Sequence, residues 1–386
     1  MSDTCQVDDN QLTLLQNGSA YFPRLCADID SARRFIYLET YIFAADQTGC
    51  MVSEALQRAA RRGVVVSVLM DGFGSSDLPQ SWMDELGLAG VKVHVFRREI
   101  YRFKLRRHRL RRLHRKLVVL DGEVAYVGGI NIIDDVTKSE HFTAPRFDFA
   151  VRVEGSVAGE IHAVMRRLWS AVSWASLSGK RMERLATLRH NSVPNIRVLL
   201  RDNLRHRREI ERSYLRAIAG ARREVVIANA YFLPGRSFCR TLMQASRRGV
   251  RVVLLLQGQV EYRLQHYASQ ALYGQLLAAG IEIYEYQASF LHSKVAVVDG
   301  KWSTVGSSNI DPFSLLLARE ANLAILDEGF ADALRDKLFM AISQDARRIE
   351  HVHWSRQGWR AHLVARFSYA IVRMVIGLLG YGKRSV

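Results

Sequence analysis

Apolar residues recur along this chain at two spacings, and the two spacings take turns. Residues 35–42 and 64–70 are apolar runs of strand length, whereas residues 51–62 between them carry apolar side chains at helical spacing and stop at Gly63. A helix over 20–34 precedes this unit, and a helix over 82–89 and a strand over 91–96 follow it. The same order then returns: helix 210–222, strand 224–229, helix 238–248 ending at Gly249, strand 250–256, helix 268–279 and strand 281–286. Such alternation predicts, in each array, a mostly parallel sheet covered by helices on both faces. Arg61-Arg-Gly-Val64 is matched by Arg247-Arg-Gly-Val250, and Glu39-Thr-Tyr-Ile-Phe43 by Asn229-Ala-Tyr-Phe-Leu233. Two copies are too few for a solenoid and suit a pseudo-dimer. Helical residues 157–178 and the basic polar stretch 180–195 read as the connection between the copies.

Each array ends in the same pattern. His114-Arg-Lys-Leu-Val-Val-Leu-Asp121 is followed by Gly128-Gly-Ile-Asn131, and His292-Ser-Lys-Val-Ala-Val-Val-Asp299 by Gly306-Ser-Ser-Asn309, with identical intervals from His to Lys, Asp, Gly and Asn. Residues i and i+2 of a strand share a face, so His and Lys point the same way, and the apolar run behind them reads as a buried strand closing at an Asp-Gly turn. An imidazole beside an ammonium, supplied twice, suits displacement at a phosphodiester. One His attacks phosphorus, the other protonates the leaving oxygen, and the two Lys hold the charge on the non-bridging oxygens with no metal or cofactor.

In these residues the sequence resembles the phospholipase D superfamily, whose signature both copies fit without a gap. The resemblance implies two tandem phospholipase D-like α/β/α sandwich halves related by a pseudo-twofold and sharing one active site. The division expected is 1–179 and 180–350 for the halves, with 351–386 as an amphipathic tail. It implies that His114 is the nucleophile and forms a phosphohistidine, that His292 is the general acid and base, and that Lys116 and Lys294 bind the phosphate oxygens. Asn131 and Asn309 are expected to add hydrogen bonds to the same oxygens. Asp121 and Asp299 belong to the signature and are counted with the catalytic set, although each precedes a Gly at a strand end, where a turn role is equally natural. A catalytic imidazole also needs a partner on its other nitrogen. Asp148 and Glu320, in matching places ahead of the apolar strands 150–153 and 323–326, are the carboxylates the family supplies for this.

Beyond the signature, residues 10 to 350 are similar to bacterial cardiolipin synthases of the B type. Leu113-His-Arg-Lys, Ile227-Ala-Asn-Ala-Tyr-Phe-Leu-Pro-Gly235 and Thr304-Val-Gly-Ser-Ser-Asn-Ile-Asp-Pro-Phe-Ser314 carry that likeness. The implied reaction is phosphatidyl transfer between two phosphatidylglycerol molecules, giving cardiolipin and glycerol. The same catalytic residues serve a phospholipase D-type hydrolase, a transphosphatidylase using another alcohol, or a nuclease of the superfamily.

Composition narrows the partners. The 386 residues are 48% hydrophobic and 24% charged, which excludes a disordered chain, and a net charge of +17 calls for a polyanionic partner. Eleven Lys and Arg between Arg97 and Lys116, interleaved with Tyr101 and Phe103, read as a rim that docks anionic headgroups. Residues 362–382 form the most apolar stretch, with Arg366 and Arg373 on one helical face; such a helix either lies in a membrane interface or packs on the enzyme. The expected partners are phosphatidylglycerol and anionic membrane lipids rather than nucleic acid. Cys5, Cys26, Cys50 and Cys239 show neither disulfide nor zinc spacing, and the acidic N-terminus carries no signal peptide or membrane helix. The expected location is therefore peripheral, on the cytoplasmic face of the cell membrane.

Overall fold

In a computed structural model of the protein, the residues described are 3–97, 112–136, 144–176, 195–202, 206–260, 262–311, 318–351 and 359–376. The first half runs β1 (Thr4–Val7), β2 (Asn10–Gln16), α1 (Asn17–Ser31), β3 (Phe35–Thr40), α2 (Gln47–Arg61), β4 (Val65–Asp71), α3 (Gln80–Leu88), β5 (Lys92–Phe96), β6 (Arg112–Leu113), β7 (Leu117–Leu120), β8 (Val124–Gly128) and β9 (Phe149–Glu154). Helix α4 (Ser156–Ser176) leads on to β10 (Ile196–Arg201), α5 (Glu209–Gly220), β11 (Glu224–Asn229), α6 (Arg236–Arg247), β12 (Arg251–Gln257), α7 (Arg263–Gln270), α8 (Tyr273–Ala278) and β13 (Glu282–Tyr286). Then come β14 (Lys294–Val298), β15 (Trp302–Gly306), β16 (Ala318–Leu326), α9 (Glu328–Asp345), β17 (Ala346–Ile349) and α10 (Trp359–Ile376). The sheet orders are β1-β2-β9-β8-β7-β3-β4-β5 and β10-β16-β15-β14-β11-β12-β13-β17, so the second repeats the first from β2 onward.

The sheets are mixed rather than mostly parallel. Only β3-β4-β5 and β11-β12-β13 run parallel along these paths; the other neighbours are antiparallel. The reason lies in the Asp-Gly pairs. Asp121 and Gly122 have φ of 55° and 77°, and Asp299 and Gly300 56° and 66°, the left-handed pair of a tight hairpin, which folds the strand after each Lys back on itself.

Strand β7 places Leu117 and Val119 in one apolar cluster and Val118 and Leu120 in another, and β14 splits Val295 and Val297 from Ala296 and Val298 in the same way. Burial on both faces explains the unbroken apolar runs, each such side chain contributing about 1.5–3 kcal/mol. The cluster holding Leu117 and Val295 joins the inner faces of both sheets with Ile161 and Met165 of α4 and Leu334 and Leu338 of α9. Helix α4 is thus part of a shared core and more than a connection; most of the basic stretch after it lies outside the described residues.

Of the two alternatives expected for the tail, helix α10 shows the packed one. It packs on α7, burying Ala365, Ser368 and Val372, while Leu363, Phe367 and Met374 stand exposed along its other side. Among the described residues no helix is long and apolar enough to cross a membrane.

Candidate active site

The two His-x-Lys segments meet where the halves join. The backbone N–H of His114 donates to Arg319 O (3.0 Å) and that of His292 to Phe147 O (2.9 Å), so each histidine is tied to the residue just before the other half's carboxylate. The carboxylates then reach the rings. Nδ1 of His114 lies 3.0 and 3.1 Å from the two oxygens of Glu320, and Nδ1 of His292 lies 2.6 Å from Oδ2 of Asp148. With Nδ1 committed, Nε2 is the reactive nitrogen of each ring.

The carboxylates are seated differently. At the second glycine position of the signature, Gly129 leaves room for Asp148, whose Oδ1 would come within 2.3 Å of a Cβ there. Its counterpart Ser307 donates instead to Glu320 Oε2 at 2.5 Å. Both lysines are buried, and their ammonium groups donate to the carbonyls of their own histidines, Lys116 to His114 O at 2.8 Å and Lys294 to His292 O. Asn131 and Asn309 are buried, and Asn131 Oδ1 accepts from Ile42 N–H at 3.2 Å.

Burial governs the electrostatics, since removing a charged group from water disfavours the charge. It pushes Lys116 down to about 7 against the pull of Glu320, and pushes Asp148 up to about 7 against the pull of Lys294. Burial lowers His114, and burial with Lys294 and Lys116 lowers His292 well below the ordinary histidine value. The site thus concentrates groups whose positive forms a bound anion would favour. Among the described residues no three His, Cys, Asp or Glu side chains are grouped to hold a metal ion.

The structure therefore brings together His114, Lys116, Asp148, His292, Lys294 and Glu320. It does not bring Asp121 or Asp299 to them. Each sits at the far end of its strand, where Asp121 accepts from the backbone N–H groups of Arg33, Arg34 and Phe35 and Asp299 from those of Arg222, Arg223 and Glu224, all at 2.8–2.9 Å. Their place is that of a turn and cap. Most of the basic rim, residues 98–111, lies outside the described residues; of the rest, Arg115 is buried against Glu39 at 2.7 Å rather than displayed.

Sequence reasoning missed several supporting residues. Tyr41 packs its ring 4.8 Å from that of His114 and lies beneath Lys116 Nζ at 5.3 Å. Asp71, the last residue of β4, accepts from Leu113 N–H at 2.7 Å; Gln257, the last residue of β12, accepts from Leu291 N–H at 2.9 Å. Each thus holds the residue preceding a histidine. The duplicated stretch containing Tyr41 carried the signal for the first of these, and the paired strand ends carried it for the others.

Residues 25–169 and 214–340 match the family described as cardiolipin synthase, PLD-like domain. The chain belongs to that family. It is 36% identical over 378 residues to cardiolipin synthase B of Escherichia coli O6:H1, covering 97% of this chain and 90% of the relative. To cardiolipin synthase B of Salmonella typhi it is 38% identical over 374 residues, with the same shares covered. The solved phosphatidylserine synthase of Haemophilus influenzae Rd KW20 shares the fold, with a TM-score of 0.69 at 14% identity over 98% of this chain and 96% of that one. The chain is accordingly an enzyme of the phospholipase D superfamily, built from two phospholipase D-like halves.

Proposed function

We propose that this enzyme is a cardiolipin synthase that transfers a phosphatidyl group from one phosphatidylglycerol to another through a phosphohistidine. The observation that carries the reading is the pair of imidazoles, each oriented through Nδ1 by a buried carboxylate of the opposite half, beside two buried lysines. In the first step His114 Nε2 forms a bond to phosphorus, the bond from phosphorus to the glycerol oxygen breaks, and His292, which takes up a proton as the anionic phosphodiester binds, gives its Nε2 proton to that oxygen. In the second, a hydroxyl of another phosphatidylglycerol attacks phosphorus, passes its proton to His292, and the phosphorus–nitrogen bond breaks. Lys116 and Lys294 hold the non-bridging oxygens in both steps, assisted by the amides of Asn131 and Asn309; one well-placed donor of this kind contributes about 3–4 kcal/mol.

The enzyme works at an anionic membrane surface, on the cytoplasmic face. The exposed Leu363, Phe367 and Met374 of α10, the exposed Arg366 and the charge of +17 support peripheral binding. We assign residues 1–179 and 180–350 to the halves that build the site and 351–386 to attachment.

The test is the product mixture formed by purified protein from phosphatidylglycerol vesicles. Cardiolipin and free glycerol in equal amounts, with DNA left intact, are expected. Phosphatidic acid alone indicates a hydrolase, and DNA cleavage at comparable rates indicates a nuclease.

A further inference from the structure

Residues 146–148 and 290–292 run side by side as a short parallel pair. Phe147 N–H donates to Phe290 O at 3.0 Å, His292 N–H donates to Phe147 O at 2.9 Å, and Phe147 lies opposite Leu291. Phe147 and Leu291 both point into the core, so alternation turns Arg146, Asp148, Phe290 and His292 to the other face, where Asp148 meets the His292 ring. Arg146 sets out two residues from Asp148, about 6.6 Å along the extended chain. Its backbone is held on both sides: its own N–H donates to Asp135 O at 3.1 Å, and Ser289 Oγ donates to Pro145 O at 2.5 Å.

Arg146 is half-buried and so keeps a surface from which to meet a ligand. Asp135, whose carboxylate feels its charge, accepts from the backbone N–H groups of Gly18 and Ser19, and among the described residues Arg146 forms no ion pair. The charge also reaches the catalytic face. After burial and the two lysines, Arg146 is the next group that holds the His292 imidazole toward its neutral form. The other side of the pseudo-twofold is built differently. There Ala318, buried and paired with Arg112, stands where Arg146 does, and the Arg112 guanidinium lies over the Phe73 ring at 4.9 Å with its charge felt by Asp71.

We propose that Arg146 binds the phosphate of the acceptor lipid, its guanidinium taking the two non-bridging oxygens as a fork while the acceptor's hydroxyl attacks beside His292. The assignment rests on the transferase reading above and deepens it. In that reading Lys116 and Lys294 are occupied by the oxygens of the reacting phosphorus in both steps. An acceptor phosphatidylglycerol brings a second phosphodiester, one three-carbon glycerol unit away from the attacking hydroxyl. This second anion must be seated on the side of the base, within reach of His292. Arg146 stands on that side, and its planar fork matches the geometry of a phosphodiester. The glycerol that leaves in the first step carries no phosphate, so Arg146 acts in the second step only.

The experiment uses the full-length protein with detergent-dispersed phosphatidylglycerol and two soluble acceptors at equal concentration, labelled glycerol and labelled glycerophosphoglycerol, the second being the deacylated headgroup with its phosphodiester. The ratio of the two phosphatidyl products is read within each protein, so a change in overall rate drops out. Wild type is expected to favour glycerophosphoglycerol by about tenfold or more, as for charge-assisted hydrogen bonds to one anion. Arg146→Gln should abolish most of that preference while transfer to glycerol stays within about threefold of wild type, and Arg146→Lys, which keeps the charge but loses the fork, should lower it by about threefold or more. Arg240→Gln removes the same charge from an exposed position on α6 and should keep the wild-type ratio. Equal use of the two acceptors by wild type overturns the assignment whatever the variants do. So does a wild-type ratio retained in either soluble Arg146 variant, or an equal fall in Arg240→Gln, which would make the preference one of net charge alone. Phosphatidic acid as the sole product in wild type, with neither acceptor used, would instead bring down the transferase reading, and this assignment with it.

Discussion

Nδ1 of His114 faces the carboxylate of Glu320, and the two residues belong to different halves. The reverse pair, His292 with Asp148, crosses in the opposite sense. Each half therefore supplies the reactive ring for itself and the orienting group for its neighbour. Glu320→Gln preserves shape while removing the charge that fixes the tautomer and stabilises the imidazolium. Turnover is expected to fall by roughly 10²–10⁴, as for the corresponding change in a serine-protease triad, with the melting temperature nearly unchanged. Steady-state kinetics beside a thermal melt checks this, and a loss under threefold would count against it.

Neither histidine substitutes for the other within one step. His114→Ala and His292→Ala are each expected to lower turnover by several orders of magnitude, but they should differ in what accumulates. Labelled phosphatidylglycerol should leave label on the wild-type and His292→Ala proteins and none on His114→Ala. The opposite pattern of labelling exchanges the two roles.

The position of Lys116 near 7 sets a pH dependence. Burial lowers its pKa, so the free enzyme loses this ammonium as pH rises through neutrality, and an anion that binds there must recover a proton. Sulfate, which does not titrate in this range, is expected to bind less tightly from pH 6.5 to 8.5, the slope approaching tenfold per unit, with Lys116→Met showing a shallower profile. Calorimetry across that range decides the matter; a flat wild-type profile speaks against the assignment.

Asp121 and Asp299 are expected to act on stability rather than chemistry. Each accepts three backbone N–H groups, and these bonds hold its carboxyl below the usual range against the effect of burial. The stabilisation is present above the unfolded-state carboxylate pKa and is lost as pH falls through the lower folded-state value. Asp121→Ala should cost about 1–3 kcal/mol in denaturant unfolding at pH 7 while the folded fraction keeps wild-type turnover within about threefold. A hundredfold loss in turnover of the folded protein would return Asp121 to the catalytic set.

For α10 the two faces separate attachment from packing. The double change Leu363→Asp and Phe367→Asp alters only exposed positions and should release the protein from anionic vesicles at moderate salt, leaving its melting temperature in place. Val372→Asp, on the buried face, should lower the melting temperature instead. Vesicle sedimentation and a melt of both proteins give the answer.

The repeated His-x-Lys strands and the Asp-Gly turns were legible because each is local and recurs at a fixed interval, and the late carboxylates because each stands ahead of an apolar strand where the family likeness calls for one. Sheet direction was less so: the alternation of strand and helix describes β3-β4-β5 and β11-β12-β13 correctly, but strands added across a hairpin, such as β8 and β15, leave no helix to announce them. β2 and β10 find their partners far along the chain, at β9 and β16. The crossing of Asp148 to His292 was equally hidden, since position in sequence gives a carboxylate's place on its own strand and not the ring it meets across a pseudo-twofold. Gln257 reads as an ordinary polar residue closing an apolar strand, and its hold on Leu291 becomes visible only in the fold.

The separation of 206 residues between His114 and Glu320 has a consequence for the nascent chain. At roughly 5–20 residues per second, His114 is made some 10–40 s before its orienting carboxylate exists. Throughout that interval a ribosome-bound first half carries a ring and a lysine but neither a partner for Nδ1 nor the second ring and lysine, so its site is incomplete. The complete site is assembled late in synthesis, with the strand β16 that also pairs with β6 across the joint between the halves.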